Sequence, residues 1–275
     1  MDFDLERIAV PFRMQPGLQR LGAGARHLTP LATGSALYRE KLEVLQAGAS
    51  RFRAAGFHPK NAINSIANHA ALTGLTARFG TENPLELVFE EDFAVLDAAS
   101  GTVPWLCVCT PSHWAPEDRV GLGFAAIHAP VADNATLLAA SDALVRLVCG
   151  GDPWERFVWN LVPDGRFDQH PGRHPRQPWP DDASAEQLAT GCWLRVERQT
   201  FLPVRDARGQ PCGQSVFTIR VMLQPLTQAV RNAGGARRLH DALASMSDAT
   251  LAYKQITPAR ERLLQWLSRR ATGAS

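Results

Sequence analysis

Paired cysteine is what this 275-residue chain most obviously lacks. Its five cysteines, Cys107, Cys109, Cys149, Cys192 and Cys212, are odd in number and thinly spread, which argues against a secreted disulfide scaffold. No apolar run approaches the roughly 18 residues of a membrane span. The start, Met1-Asp-Phe-Asp-Leu-Glu-Arg7, is charged and has no apolar signal stretch. Charge of one sign is missing too, since 29 basic against 27 acidic residues leave +2, so a nucleic-acid coat is excluded although a local basic patch is not. Lysine is confined to Lys41, Lys60 and Lys254, a bias read mainly as genome composition. A soluble, cytoplasmic protein with neither nucleic acid nor membrane as partner is expected. No G-x-S-x-G, no Walker loop and no helix-opening G-x-G-x-x-G occurs, and Gly121-Leu-Gly123 lacks the third glycine, so a Rossmann nicotinamide or flavin site is not supported.

What is present is ordinary globular material, 45% hydrophobic and 20% charged. Helical spacing from Thr33 through Leu45, with Ser35 or Thr33 as cap, predicts a first helix, and a second is predicted from Asn61 with Gly80 as its stop. Leu85 to Leu96 and Val103 to Cys109 read as a β-hairpin around the Ala98–Thr102 turn. A helical stretch over Val120–His128 and a helix over Ala135–Cys149 follow, then a strand over Arg156–Val162. Pro163 to Gln187 is expected to be loop, long enough to be functional or mobile. Strands Cys192–Val204 and Ser215–Leu223 form a second hairpin, and Pro225 to about Arg270 is helical. Hairpin-joined strands with helices segregated at the ends predict an α+β fold. One domain is expected over residues 1–275, with a helical arm (1–80), a sheet-containing core (81–224) and C-terminal helices (225–275).

Four constellations bear chemistry. His170-Pro-Gly-Arg-His174 has an H-x₃-H spacing, but Pro171 and Gly172 oppose a helix, so a solvated loop outweighs a metal site. Cys107-Val-Cys109 places two sulfurs on one face of a strand, where buried apolar packing outweighs metal ligation. His128 ends an apolar stretch before Pro130. That setting suits an imidazole on haem iron, though a hydrogen-bonded core histidine is the commoner case. In Arg195-Val-Glu-Arg-Gln-Thr200, alternation puts Arg195, Glu197 and Gln199 on one face and Arg198 and Thr200 on the other. Either an ion-pair ladder with Arg220 or a polarised pocket accounts for this run.

Taken together, several segments resemble one family. They are Pro11-Phe-Arg-Met-Gln-Pro-Gly-Leu18, Glu91-Asp-Phe-Ala-Val-Leu96, Thr110-Pro-Ser-His-Trp114, Val120-Gly121 with Ile127-His-Ala-Pro-Val131, Arg195-Val-Glu-Arg-Gln-Thr-Phe201, Phe217-Thr-Ile-Arg220 and Tyr253-Lys254. The family is that of the haem-dependent oxidative N-demethylase alpha subunit and its like. The resemblance implies a Per-ARNT-Sim-like antiparallel sheet elaborated with N- and C-terminal helices and holding haem b. It implies His128 as axial ligand and polar distal roles among Arg195, Glu197, Arg198 and Arg220. It further implies dioxygen and a small amine as substrates, dimethylamine in the family's characterised enzyme. Electrons from NADPH would arrive through flavin mononucleotide (FMN) and an iron–sulfur cluster on a partner reductase. Two positions depart from the family pattern: Ala132-Asp133 replaces a second proline, and Trp159-Asn160 reverses the usual order.

Four readings therefore compete. They are a haem-dependent oxidoreductase subunit, a haem-binding sensor or carrier without turnover, a metal site at His170 and His174, and a cofactor-free scaffold.

Overall fold

Among the residues described by the computed structural model (3–14, 17–22, 25–75, 80 and 83–273), seven strands join in one sheet. In chain order these residues form β1 (Gln19–Arg20), α1 (Ala36–Gln46), β2 (Arg51–Arg53), α2 (Lys60–Leu72), α3 (Leu85–Val88), β3 (Asp92–Asp97) and β4 (Thr102–Cys107). Next come α4 (Phe124–His128), α5 (Ala135–Ala139), α6 (Ser141–Val148) and β5 (Trp154–Val162). Then α7 (Ala185–Gly191) precedes the hairpin of β6 (Trp193–Arg205) and β7 (Pro211–Pro225). Last are α8 (Leu226–Ala229), α9 (Ala233–Ala244), α10 (Asp248–Lys254) and α11 (Arg260–Thr272). The strand order is β1-β5-β6-β7-β3-β4-β2, antiparallel throughout. The α+β class is as expected.

Several boundaries differ from expectation, each for a local reason. The segment from Leu85 to Leu96 is not strand throughout: Leu85–Val88 makes a helical turn after Pro84, and pairing starts only at Asp92. The second helix ends at Leu72, capped at Thr73, where Gly74 takes the left-handed region at φ +77°. Its expected continuation over 76–79 lies outside the described residues, as do Gln15 and Pro16 of the N-terminal segment. The helix expected over 135–149 is two helices, broken at Ala140. The loop expected through Gln187 already contains the first turn of α7. A capping box sets that start: Ser184 Oγ accepts from the Gln187 N–H, and the Gln187 side chain returns a bond to the Ser184 N–H. Two short strands in the N-terminal arm, β1 and β2, supply both edges of the sheet.

The register divides the sheet into two faces. Phe201 and Phe217, directly opposed and stacked at 4.7 Å, point to the face that receives α4 and α6 through Phe124, Val145, Val148 and Cys149. Val196, Leu202, Val216 and Met222 point the other way. There Leu239, Leu263 and Trp266 of the C-terminal helices cover one half, and Ala62, Ile66 and Ala70 of α2 cover the other. Burial of each large apolar side chain contributes about 1.5–3 kcal/mol. None of the described helices is long and apolar enough to cross a membrane.

Candidate functional site

Alternation along β6 decides which polar side chains meet. Arg195, Glu197 and Gln199 share the α4–α6 face with Arg156, which lies opposite Gln199 on β5. Arg198 and Arg220, directly opposite one another on β6 and β7, occupy the other face. Of the five residues singled out in the sequence, Glu197, Arg195 and His128 thus fall on one side of the sheet, and Arg198 and Arg220 on the other. Arg198 pairs with Glu155 at 3.0 Å and donates to the Arg26 carbonyl at 2.9 Å, while Arg220 pairs with Glu90 at 2.6 Å.

Arg195 is buried and holds a frame together. Its Nε donates to Ser112 Oγ at 2.8 Å, and its two remaining nitrogens reach the Arg166 and Thr110 carbonyls, each at 3.1 Å. The Ser112 hydroxyl in turn donates to Glu197 Oε1, and Gln199 Nε2 donates to Glu197 Oε2 at 2.7 Å. The carboxylate is therefore oriented by two neutral donors rather than by a direct ion pair. Arg156 lies on the same face, and its Nε is buried without a hydrogen-bond partner. Burial pulls the Arg156 guanidinium below its ordinary range, with Glu197 and Tyr253 opposing that shift.

The outer edge of β5 is closed by α10. Lys254 Nζ donates to the Trp159 carbonyl at 2.6 Å, and Asn160 Nδ2 donates to the Lys254 carbonyl at 3.4 Å. This placement brings Tyr253 and Lys254 within electrostatic reach of Glu197 and Arg156. Burial, reinforced by Arg156 and opposed by Glu197, lowers the Lys254 amine to about 8. Ser247 at the start of α10 donates to Asp133 at 2.6 Å, and Thr250 donates to it at 3.0 Å. The departure at Ala132-Asp133 therefore fastens the segment after His128 to the helix carrying Tyr253 and Lys254.

His128 ends α4. Its Nδ1 meets the Phe124 carbonyl at 2.8 Å and its ring lies 4.1 Å from that of Phe124, while Asn134 donates to the His128 carbonyl at 3.0 Å. A carbonyl can only accept, so Nδ1 carries the proton and Nε2 keeps its lone pair. Among the described residues nothing hydrogen-bonds to Nε2. Burial lowers the imidazole below its usual value, and Arg156 and Arg119 push the same way, so the ring is neutral near pH 7. A half-buried neutral imidazole, oriented by a backbone carbonyl and presenting a bare nitrogen, has the make-up of a metal ligand. The donor set fits a haem iron, with His128 Nε2 as the candidate ligand.

The other sequence candidates are engaged elsewhere. Both ring nitrogens of His170 are in use, Nε2 with Glu117 at 3.0 Å and Nδ1 with the Gly172 N–H at 3.0 Å. His174 lies 3.4 Å from Asp168, and the described residues contain no group of three potential metal ligands. Cys107 and Cys109 are buried free thiols, raised by that burial. Arg156 was missed as a site residue. Only the β5–β6 register, which sets Arg156 opposite Gln199 and Val158 opposite Glu197, places it beside the carboxylate.

One comparison with known proteins bears on this site. The family model described as haem-dependent oxidative N-demethylase, alpha subunit-like, matches residues 39–264, a span that includes every residue of the cluster.

Proposed function

The chain belongs to the haem-dependent oxidative N-demethylase, alpha subunit-like family, and from that premise we propose that it binds haem b through His128 Nε2 and oxidises a small N-methylated amine. The observation that carries the proposal is the His128 ring, fixed by Phe124 with its second nitrogen bare, beside the Glu197–Arg156–Lys254 cluster. One antiparallel sheet with α4, α5 and α6 inserted between β4 and β5 supports the Per-ARNT-Sim-like reading.

The overall reaction is R₂N–CH₃ + O₂ + two electrons + two protons → R₂NH + CH₂O + H₂O. When bound, haem supplies the iron that activates dioxygen. Glu197, steadied by Ser112 and Gln199, accepts the N–H of a protonated amine and orients its methyl group. The Arg156 Nε–H is a donor with no protein acceptor to satisfy. Lys254 Nζ, lowered to about 8, holds a proton near neutrality that it can release and regain. Electrons come from a separate reductase chain carrying FMN and an iron–sulfur cluster, in keeping with an alpha-subunit-like family. Haem is thus the cofactor proposed, and an amine, dioxygen and a reductase the proposed partners, in keeping with the family.

The test is reconstitution with haem. The wild type is expected to show a Soret band, greatly weakened in His128→Ala and restored by added imidazole. An unchanged band in the variant overturns the ligand assignment, and a colourless wild type overturns haem binding. Formaldehyde from an N-methylated amine, given dioxygen and a chemical reductant, supports an enzyme. Its absence in a haem-loaded sample favours a sensor or carrier.

A further inference from the structure

A polar cleft of about 430 Å³ lies between α1, the Thr110–Trp114 segment and the Pro163–Gln177 loop. Glu40, His113, Asp164, Arg166, Gln169 and Arg176 line it, and none of its lining residues belongs to the His128–Glu197 cluster. The cleft is built rather than incidental. Gly165 packs so closely on Trp193 that an added Cβ would meet the indole ring at 2.6 Å. The Arg166 carbonyl is tied down by Arg195, and the buried Asp168 carboxylate takes the Arg173 Nε at 2.7 Å and the His170 N–H at 3.0 Å. Gln169 bonds through its backbone to Pro111 and to His113, at 3.1 and 3.2 Å.

Against this fixed backbone, the side chains facing the cleft are short of partners. Gln169 is 2% exposed, yet both its Oε1 and its Nε2 lack a hydrogen bond. The His113 Nε2 is likewise buried and unpartnered, on a residue held at φ 60° in the left-handed region. Neither the Arg166 nor the Arg176 guanidinium makes a hydrogen bond or an ion pair among the described residues. The acceptors differ: Glu40 Oε2 takes the Asp168 N–H at 2.7 Å, and Asp164 Oδ1 takes the Arg166 N–H at 3.0 Å. Asp164 Oδ2 and Gln169 Oε1 also accept nothing among the described residues, but the N–H groups of the two guanidiniums outnumber these acceptors, and their planar forks match an oxyanion.

We propose that this cleft binds a small molecule bearing a carboxylate or a phosphate, gripped by Arg166 and Arg176 and hydrogen-bonded by Gln169 and His113. The volume lies within the range of small-molecule sites. The ligand would sit one residue from Ser112, the group that holds Glu197.

Calorimetric titration of inorganic phosphate and of succinate into the full chain, haem-free and haem-loaded, tests the site. Saturable one-to-one binding of at least one probe is expected in both forms, weakened on the order of tenfold in Arg176→Gln and in Arg166→Gln. The tighter probe identifies phosphate or carboxylate as the preferred group. In nuclear magnetic resonance titrations the His113 imidazole, lowered to about 4 chiefly by burial and next by Arg176, is expected to shift upward when the probe binds. Absence of saturable binding, equal binding by both variants, or loss of binding on haem loading would each overturn the proposal. The last result would make the cleft the propionate end of a haem pocket. Because the haem-free arm stands alone, failure of haem binding leaves the outcome readable.

Discussion

The two faces of the central sheet treat the same kinds of side chain in opposite ways. On the face covered by α2 and the C-terminal helices, Arg198 and Arg220 stand directly opposite each other, an arrangement that like charges oppose. Each is neutralised by its own carboxylate, Glu155 and Glu90, at 3.0 and 2.6 Å. The Thr200 and Thr218 hydroxyls pair beside them at 2.5 Å. On the α4–α6 face, one residue away along β6, Glu197 is held only by neutral donors, Arg156 Nε lacks a partner and His128 Nε2 stays bare. Structure spends its polar groups on each other, whereas a site leaves them available. The difference separates an ion-paired seam from a candidate reaction centre within a single six-residue run.

The sharpest way to break this division is to neutralise one residue on each face. Glu197→Gln is expected to lower kcat by about 10²–10⁴-fold, the range for losing a positioned proton-transfer or charge-stabilising group, with the haem spectrum retained. Arg220→Gln and Arg198→Gln are expected to leave kcat close to wild type. A comparable loss of kcat in either arginine variant, with unchanged thermal stability, would contradict the assignment of chemistry to one face.

That two faces exist was legible from alternation in Arg195–Thr200 and Ser215–Leu223, because a period of two needs no knowledge of partners. Which face does chemistry was not legible, since it depends on Glu155 arriving from β5 and Glu90 from the segment before β3. Arg156 and Lys254 were hidden for the same reason: only the β5–β6 register and the docking of α10 on the β5 edge bring them near Glu197. The edge strands β1 and β2, two and three residues long, are too short to show a period. Leu85–Val88 misread as strand because four apolar and acidic residues fit either period, and Pro84 decided for a turn of helix.

Next in size is an exception on the paired side. Glu91 is buried, its Oε2 accepts from the Thr29 N–H at 2.9 Å, and its Oε1 has no partner. Burial raises this carboxyl to about 7 from 4.5. The folded state therefore binds the proton more tightly than the unfolded chain. Its contribution to stability is fully present below about pH 4.5 and is lost as pH rises through about 7, by about 3 kcal/mol in all. Glu91→Gln is expected to remove that slope, so urea unfolding at pH 5 and pH 8 should give closer midpoints than in wild type. An unaltered slope would show that Glu91 ionises normally. Below this comes Arg198→Gln, which leaves Glu155 with only the more distant Arg7, at 4.0 Å, and should cost about 1–2 kcal/mol in the same assay.

The smallest effect is a pH limb, and it tests the open face where the arginine variants test the closed one. Lys254 Nζ spends one donor on the Trp159 carbonyl, and its amine is lowered to about 8 by burial and by Arg156, against the pull of Glu197. If the protonated amine serves the reaction, kcat/KM should fall as pH rises through about 8, reaching roughly a tenfold loss one unit above it. Lys254→Arg keeps a charge that does not titrate in this range, so its profile should stay flat there even if its rate is lower. Glu197→Gln removes the carboxylate that supports the charged amine, so the surviving limb should move to lower pH. A basic limb that persists unchanged in Lys254→Arg would belong to another group and would leave Lys254 as a clasp on the β5 edge. A limb that vanishes there and shifts in Glu197→Gln ties α10 to the chemistry, because a merely structural clasp would move neither midpoint.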